Sequence, residues 1–438
     1  MTSNFFNNYL DPLESVIRKS EGYDDVVSSF NINKRLMKEG NAKILSEGAK
    51  PEILDGPKSI SHFNFDELEN LFGRNPQSLT KITIGPHPDF EPIINHRSTL
   101  NHHCVSVFAD IKGSTNLINK YSLKEIRFIK DSILSMCIYL AHFFGGHIHR
   151  LQGDGVFLQF VRKDEHPNDA IINAINACSL IVNFMHSLLS KAFISQGIEP
   201  LKIRIGIDYG KDEDVLWSHY GVPGCSELTT TSLHTDLAAK LQSNAPSNGI
   251  MLGKNVTEAL DLTDDFWSYI TKPGSDEKDY YVFRGNGVNY NQYLFNWEKY
   301  LLTFDFTKKD YLNNILEIEI PEYRLKCRIS EDESYLNIYH QNLWSIPKEY
   351  NLKYQLFNER YDRPVNIHEF ESIKWEAHNS GSEAEAEGAL RHNFGKEYDG
   401  KTYCTTGSKY LGHHIAVCKV SKGKFLETKT LSFPIFIQ

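Results

Sequence analysis

Val105-Ser-Val-Phe-Ala-Asp-Ile-Lys-Gly-Ser-Thr115 is an apolar, partly β-branched run that ends on an acid, Asp110, just ahead of a glycine. Further on, Gly145-Gly-His-Ile-His-Arg-Leu-Gln-Gly-Asp-Gly155 repeats the arrangement around Asp154. A single aspartate at a strand end is ordinarily a turn or capping residue, because its short side chain bonds nearby backbone amides. Two of them, each closing an apolar strand, have a further capacity. Brought together, they can hold a pair of divalent cations through hard carboxylate oxygens.

The segments around the pair alternate in period. Residues 104–111 read as a short strand. Ser122-Leu-Lys-Glu125 is a capping box, and Ile126, Ile129, Ile133, Met136 and Leu140 then recur at three- and four-residue spacing, which predicts a helix to about Phe144. Gly145-Gly146 supplies a left-handed stop. Residues 147–152 and 156–161 read as strands joined by the tight-turn sequence Gly153-Asp154-Gly155. A helix is predicted over 168–193, a strand over 201–208, a helix over 232–242 and a strand over 249–252. The order strand–helix–strand–strand–helix–strand is that of the ferredoxin-like split motif.

Outside this region the rhythm changes. Residues 1–60 look helical and polar, and 74–103, rich in Pro, Asn and His, read as a connector. Residues 298–311 are a charged bridge, expected to move with some freedom. Beyond it, 315–320, 323–329, 352–358, 372–378, 413–420 and 430–437 all read as strands with little helix between them, as in a β-sandwich. The expected fold class is therefore α+β. An N-terminal helical segment and connector (1–100) precedes a ferredoxin-like domain (101–300), and a β-sandwich (312–438) follows.

With 438 residues, 40% of them hydrophobic and 12% aromatic, the chain can bury real cores. Its net charge of -9 argues against a general partner of nucleic acid or anionic membrane, which would show a basic excess. Seven scattered cysteines with no Cys-x-x-Cys pair suit free thiols in a reducing compartment. No continuous apolar run approaches the ~18 residues of a membrane span, and Met1-Thr-Ser-Asn-Phe-Phe-Asn-Asn8 lacks the regions of a signal peptide. A cytoplasmic protein is expected.

Phe108-Ala-Asp-Ile-Lys-Gly-Ser-Thr115, Arg150-Leu-Gln-Gly-Asp154, Ile203-Arg-Ile-Gly-Ile-Asp-Tyr-Gly210 and Asp236-Leu-Ala-Ala-Lys240 resemble, in that order, the motifs of the class III nucleotidyl cyclases. Each alone is weak; four in order, on the right elements, are specific. The resemblance covers about residues 104–295. It implies conversion of a nucleoside triphosphate to a 3′,5′-cyclic monophosphate and pyrophosphate, with two Mn²⁺ or Mg²⁺ ions per site. It implies that Asp110, Asp154 and the backbone carbonyl of Ile111 hold the ions, while the turn Lys112-Gly113-Ser114-Thr115 cradles the phosphates. In that family one domain gives the aspartates and the facing domain gives base-reading and transition-state groups. A chain with one such domain then works as a homodimer with sites at the interface.

By position, Arg150 and Thr229 read the base. Asp236 and Lys240 stand where the family has an asparagine for the ribose and an arginine for the transition state. Arg284 supplies a phosphate charge usually given by a late lysine. Lysine lacks the bidentate fork of arginine, and an aspartate cannot donate unless protonated. Drift in a non-catalytic domain is one reading of these changes; retention of both aspartates favours altered base choice. Arg150 is bulkier than lysine and can fork onto a carbonyl such as pyrimidine O2, though this alone does not choose pyrimidine over purine.

Ile373-Lys-Trp-Glu-Ala-His-Asn-Ser-Gly-Ser-Glu-Ala384, Leu390-Arg391, Thr402-Tyr-Cys-Thr405 and Tyr410-Leu-Gly-His-His-Ile-Ala-Val-Cys418 resemble the C-terminal sensor domain of bacterial antiphage nucleotide cyclases, with His392 where glycine is usual. A cyclase joined to that domain is similar to the pyrimidine cyclases of the Pycsar antiphage system. This implies CTP as substrate, UTP as second choice, an unknown phage trigger, and a cyclic nucleotide product that activates a separate effector. A purine cyclase and a non-catalytic nucleotide sensor are the alternatives. Arg391, His413 and His414 read as surface or packing residues.

Overall fold

The computed structural model describes residues 66–73, 81–91, 93, 98–222, 224–272, 274–285, 287–332, 334–422 and 427–438. The helices expected within 1–60, and parts of the 74–103 connector, lie outside the described residues. Helix α1 (Asp66–Phe72) comes first and strand β1 (Cys104–Lys112) carries the first aspartate. Helix α2 (Leu123–Phe143) starts where the capping box put it: the Ser122 hydroxyl accepts the Glu125 amide, and the Glu125 carboxylate accepts the Ser122 amide at 2.7 Å. Its apolar stripe of Ile129, Ile133, Met136 and Leu140 is buried. The chain reverses at Gly145, whose φ of 79° lies in the left-handed region that a residue without Cβ enters cheaply.

Strands β2 (Gly146–Gln152) and β3 (Gly155–Phe160) form a hairpin with Asp154 in its turn. Helix α3 (Pro167–Phe184) continues through a π-helical turn, Met185–Leu189, to Ser195. The continuous helix is long and apolar enough, by length and composition, to cross a membrane, although Asn173, Asn176 and Asn183 interrupt any unbroken apolar run. It is nevertheless a core helix, with every side chain from Ala170 to Phe184 buried. β4 (Lys202–Gly210), β5 (Leu216–Val222), β6 (Cys225–Thr231), α4 (Leu233–Asn244), β7 (Gly249–Gly253), β8 (Tyr281–Gly285) and β9 (Val288–Phe295) follow.

The main sheet runs β8-β9-β7-β4-β1-β3-β2. Its last four strands have the ferredoxin-like order, fourth-first-third-second, and all three pairings are antiparallel. Register sets Asp110 opposite Gly155 of β3 on one side and Arg204 of β4 on the other. That register brings both aspartates to one end of the sheet. The β5–β6 hairpin, absent from the sequence reading, pairs outside this sheet and has its own small core of Trp217, Leu228, Phe90 and Cys104.

The bridge is not a free tether. Helix α5 (Trp297–Leu301) buries Trp297, Tyr300 and Leu301, and Phe304 and Phe306 pack edge-on against Phe72 of α1. The charges that suggested freedom are interleaved with these apolar side chains, which have no reason to stay in water. The 315–320 strand pairs with Thr307–Asp310 in a separate hairpin rather than opening the sandwich. Then β10 (Tyr323–Ser330), β11 (Asn351–Asn358), β12 (Ser372–His378), β13 (Gly412–Lys422) and β14 (Glu427–Ile437) supply most of two five-stranded sheets. Alternate residues of β11 are buried, as a strand with one face inward requires. Leu325, Cys327, Tyr354, Trp375, Cys418 and Phe433 meet between the sheets. All seven cysteines are unpaired.

Buried polar contacts join the sandwich to the helical layer. The Asn176 amide of α3 donates to the Asn342 carbonyl at 2.6 Å, the Tyr300 hydroxyl donates to Asn176 at 2.7 Å, and the Asn342 amide lies 3.1 Å from His413. Arg324 of β10 pairs with Asp305 at 3.2 Å and donates to the last carbonyls of α1, Asn70 and Leu71. His413 and His414 are buried packing residues and Arg391 is exposed, in line with the sequence reading.

Candidate active site

Asp110 lies near the end of β1 and is half-buried between buried Ala109 and Ile111. Its Oδ2 accepts from the Arg204 guanidinium at 2.7 Å and from the Gln242 amide at 3.4 Å. Asp154 accepts from the Ser114 hydroxyl and lies 3.8 Å from the Lys130 ammonium of α2. Burial raises the pKa of Asp110; the hydrogen bond from Arg204 opposes this, and the negative charge of Asp154 adds to it. Two carboxylates that repel each other at a partly buried site, each drawing in a cation, form a donor set that a divalent ion would satisfy. The oxygen ligands suit Mg²⁺ or Mn²⁺.

Lys112, Gly113 and Thr115 are exposed and Ser114 is buried. Gly113, with φ 76°, turns the chain into a short 3₁₀ helix, Ser114–Asn119, directly above Asp154 through the Ser114 bond. Ile111 is buried beside Asp110.

The other expected residues have contacts of their own. Arg150, half-exposed on β2, pairs with Glu227 of β6. Thr229 is on the same strand, opposite Ser218. Asp236 is exposed in the first turn of α4, where a negative charge suits the helix dipole. Lys240, one turn on, holds its ammonium 5.3 Å from the Phe283 ring centre, and Arg284 stacks on Tyr281 at 4.5 Å. Among the described residues, no hydrogen bond or ion pair links Arg150, Asp236, Lys240 or Arg284 to Asp110 or Asp154.

Helix α4 reaches its position by close contact. A Cβ on Gly206 would stand 2.2 Å from the Ala238 carbonyl oxygen and the Gln242 amide nitrogen. Its N-terminus is anchored by buried Asp208, which takes His234 at 3.0 Å and the Tyr290 hydroxyl at 2.7 Å. Sequence reasoning missed Arg204, Lys130 and Glu227 as site residues. Arg204 was within reach, since it lies in a quoted motif; Glu227 is two residues from Thr229 and so on the same strand face.

Residues 302–438 match the family model described as the Adenylyl/Guanylyl and SMODS C-terminal sensor domain. A cytidylate cyclase of Staphylococcus aureus is 39% identical over 399 residues, which cover 90% of this chain and 92% of that protein. A cytidylate cyclase of Escherichia coli is 33% identical over 292 residues, 64% of this chain and 63% of that one. Among solved structures, the adenylyl cyclase CyaB from P. aeruginosa is 20% identical, covering 45% of this chain and 95% of that chain with a TM-score of 0.38. At 39% identity across nine-tenths of both partners, the chain belongs to the cytidylate cyclase family, the pyrimidine branch of the nucleotidyl cyclases.

Proposed function

We propose that the chain is a homodimeric cytidylate cyclase that converts CTP to 3′,5′-cyclic CMP and pyrophosphate. What supports this is the convergence of Asp110 and Asp154 at one sheet end, on a chain 39% identical to a cytidylate cyclase over nine-tenths of both lengths. The carboxylates of Asp110 and Asp154 and the Ile111 carbonyl would hold two Mn²⁺ or Mg²⁺ ions, which acidify the ribose 3′-hydroxyl and neutralise phosphate charge when bound. The turn Lys112–Thr115 turns its amides toward the triphosphate. From the partner subunit, Arg150 and Thr229 face the base, and Asp236 accepts from a ribose hydroxyl. Lys240 and Arg284 of that subunit bring positive charge to the phosphates.

The 3′-oxygen, relieved of its proton, attacks the α-phosphorus in line. The bond to the bridging oxygen breaks, and pyrophosphate leaves with the electron pair. The cyclic CMP acts as a second messenger in antiphage defence: a phage trigger raises its synthesis and a separate effector responds to it. A catalytic unit in firm contact with a sensor-type sandwich supports this reading. Purified protein incubated with Mn²⁺ and each nucleoside triphosphate in turn should release cyclic CMP from CTP. A cyclic product from ATP or GTP in preference to CTP, or none from any of them, would contradict the reading.

A further inference from the structure

Arg150 does not stand alone on the base-reading face. Its Nε donates to Glu227 Oε1 at 3.0 Å, and its terminal nitrogen pairs with Glu227 Oε2. His149 Nε2 lies 3.2 Å from the same Oε1, and burial, with Arg150 beside it, pushes His149 down to about 4, so the imidazole is neutral near pH 7. Glu227 and Thr229 leave β6 on one face, since strand side chains alternate. Their burial agrees: both are half-buried, while Leu228 and Thr230 are buried. A carboxylate is therefore fixed beside the arginine, on the side where the Arg150 and Thr229 reading places the base.

The side-on pairing uses Nε and one terminal N–H. The remaining guanidinium N–H groups stay available as donors, and the carboxylate keeps lone pairs as an acceptor. The edge offered is donors followed by an acceptor. Cytosine presents O2 and N3 as acceptors and its N4 amino group as a donor. Uracil presents O2, an N3–H donor and O4 as an acceptor, so its O4 would face the carboxylate and its N3–H the guanidinium. We infer that Glu227 is the specificity-determining residue that selects CTP over UTP, accepting from the cytosine N4 amino group while Arg150 donates to O2 and N3. This rests on the assignment of Arg150 to the base, and it supplies the choice between pyrimidines that Arg150 alone does not make.

The test is Glu227→Gln in the full-length protein with Mn²⁺, comparing kcat/KM for CTP and UTP and the products from an equimolar mixture. Glutamine keeps the shape but offers an N–H to O4. The CTP:UTP ratio is expected to fall by about tenfold or more, the size of discrimination one well-placed polar pair provides. Equal losses for both substrates at a constant ratio would make Glu227 only an anchor for Arg150, and would overturn the inference, as would an unchanged ratio at full activity. Arg150→Ala is measured alongside. Unchanged CTP turnover in that variant would sink the base-reading assignment of Arg150, while the Glu227→Gln ratio would still judge Glu227 by itself. The substitution is isosteric at a half-buried position, and an unaltered melting temperature confirms that folding is not the cause.

Discussion

Asp110 is held in a state that suits a ligand better than a free fold. Burial and the Asp154 charge raise its pKa, so the ionised form is a cost in the absence of cations, offset by Arg204. Asp110→Asn should therefore melt at the wild-type temperature or above it near pH 7, while losing both cyclase activity and the stabilisation that Mn²⁺ gives the wild type. Scanning calorimetry with and without Mn²⁺ reads both effects; a large drop in melting temperature without metal would show that Asp110 is structural. The two aspartates were legible in the sequence because strand, turn and acid are neighbours along the chain. Arg204 lay in a quoted motif, yet its pairing with Asp110 comes only from strand register, and Lys130 meets Asp154 only through helix packing. Glu227 was hidden for a similar reason: its contact with Arg150 joins β2 to a hairpin that carries few strong signals of its own.

Among the elements, α4 depends most on a single position. A methyl group at Gly206 would run into the backbone of α4 at Ala238 and Gln242, which cannot step aside as a flexible side chain can. Overpacking of this kind costs about 1–3 kcal/mol and displaces the helix. Gly206→Ala should thus lower the denaturant midpoint and reduce kcat well beyond what the lost stability explains, since Asp236 and Lys240 ride on that helix. Normal kcat in a folded Gly206→Ala variant would show that the placement of α4 matters little. Elements with a clear period, α2 above all, came out of the sequence within a residue or two. The bridge did not. Alternating charge masked the aromatic residues at 297, 300, 304 and 306, and their burial is decided by α1 and the sandwich, far away in sequence.

The whole molecule is tied together by groups that tolerate little change. Asn342 is fully buried with a φ of 46°, bonds Tyr300 and His413, and accepts from Asn176. Asn342→Ala should cost about 2 kcal/mol or more, because it strands buried partners and puts a Cβ without a compensating amide in the left-handed region. Burial pushes His413 to about 3 and His414 to about 4, from an ordinary 6.5. Both are below the unfolded value, so the unfolded chain binds protons first. Their contribution to stability is complete above pH 6.5 and is lost as pH falls towards 4. Urea midpoints at about pH 7 and about pH 5 should differ in that sense, and by less in His413→Gln. No such difference would mean that the imidazoles are not shielded. At this scale the family membership, together with the proposed metal ligands and the proposed reading face of a second subunit, makes one claim, that CTP is cyclised. Mass spectrometry of the product formed from a mixture of all four nucleoside triphosphates with Mn²⁺ tests it most directly. The expected result is 3′,5′-cyclic CMP as the main product, absent with Asp110→Asn; a cyclic purine nucleotide as the main product, or cyclic CMP still formed by that variant, would contradict it.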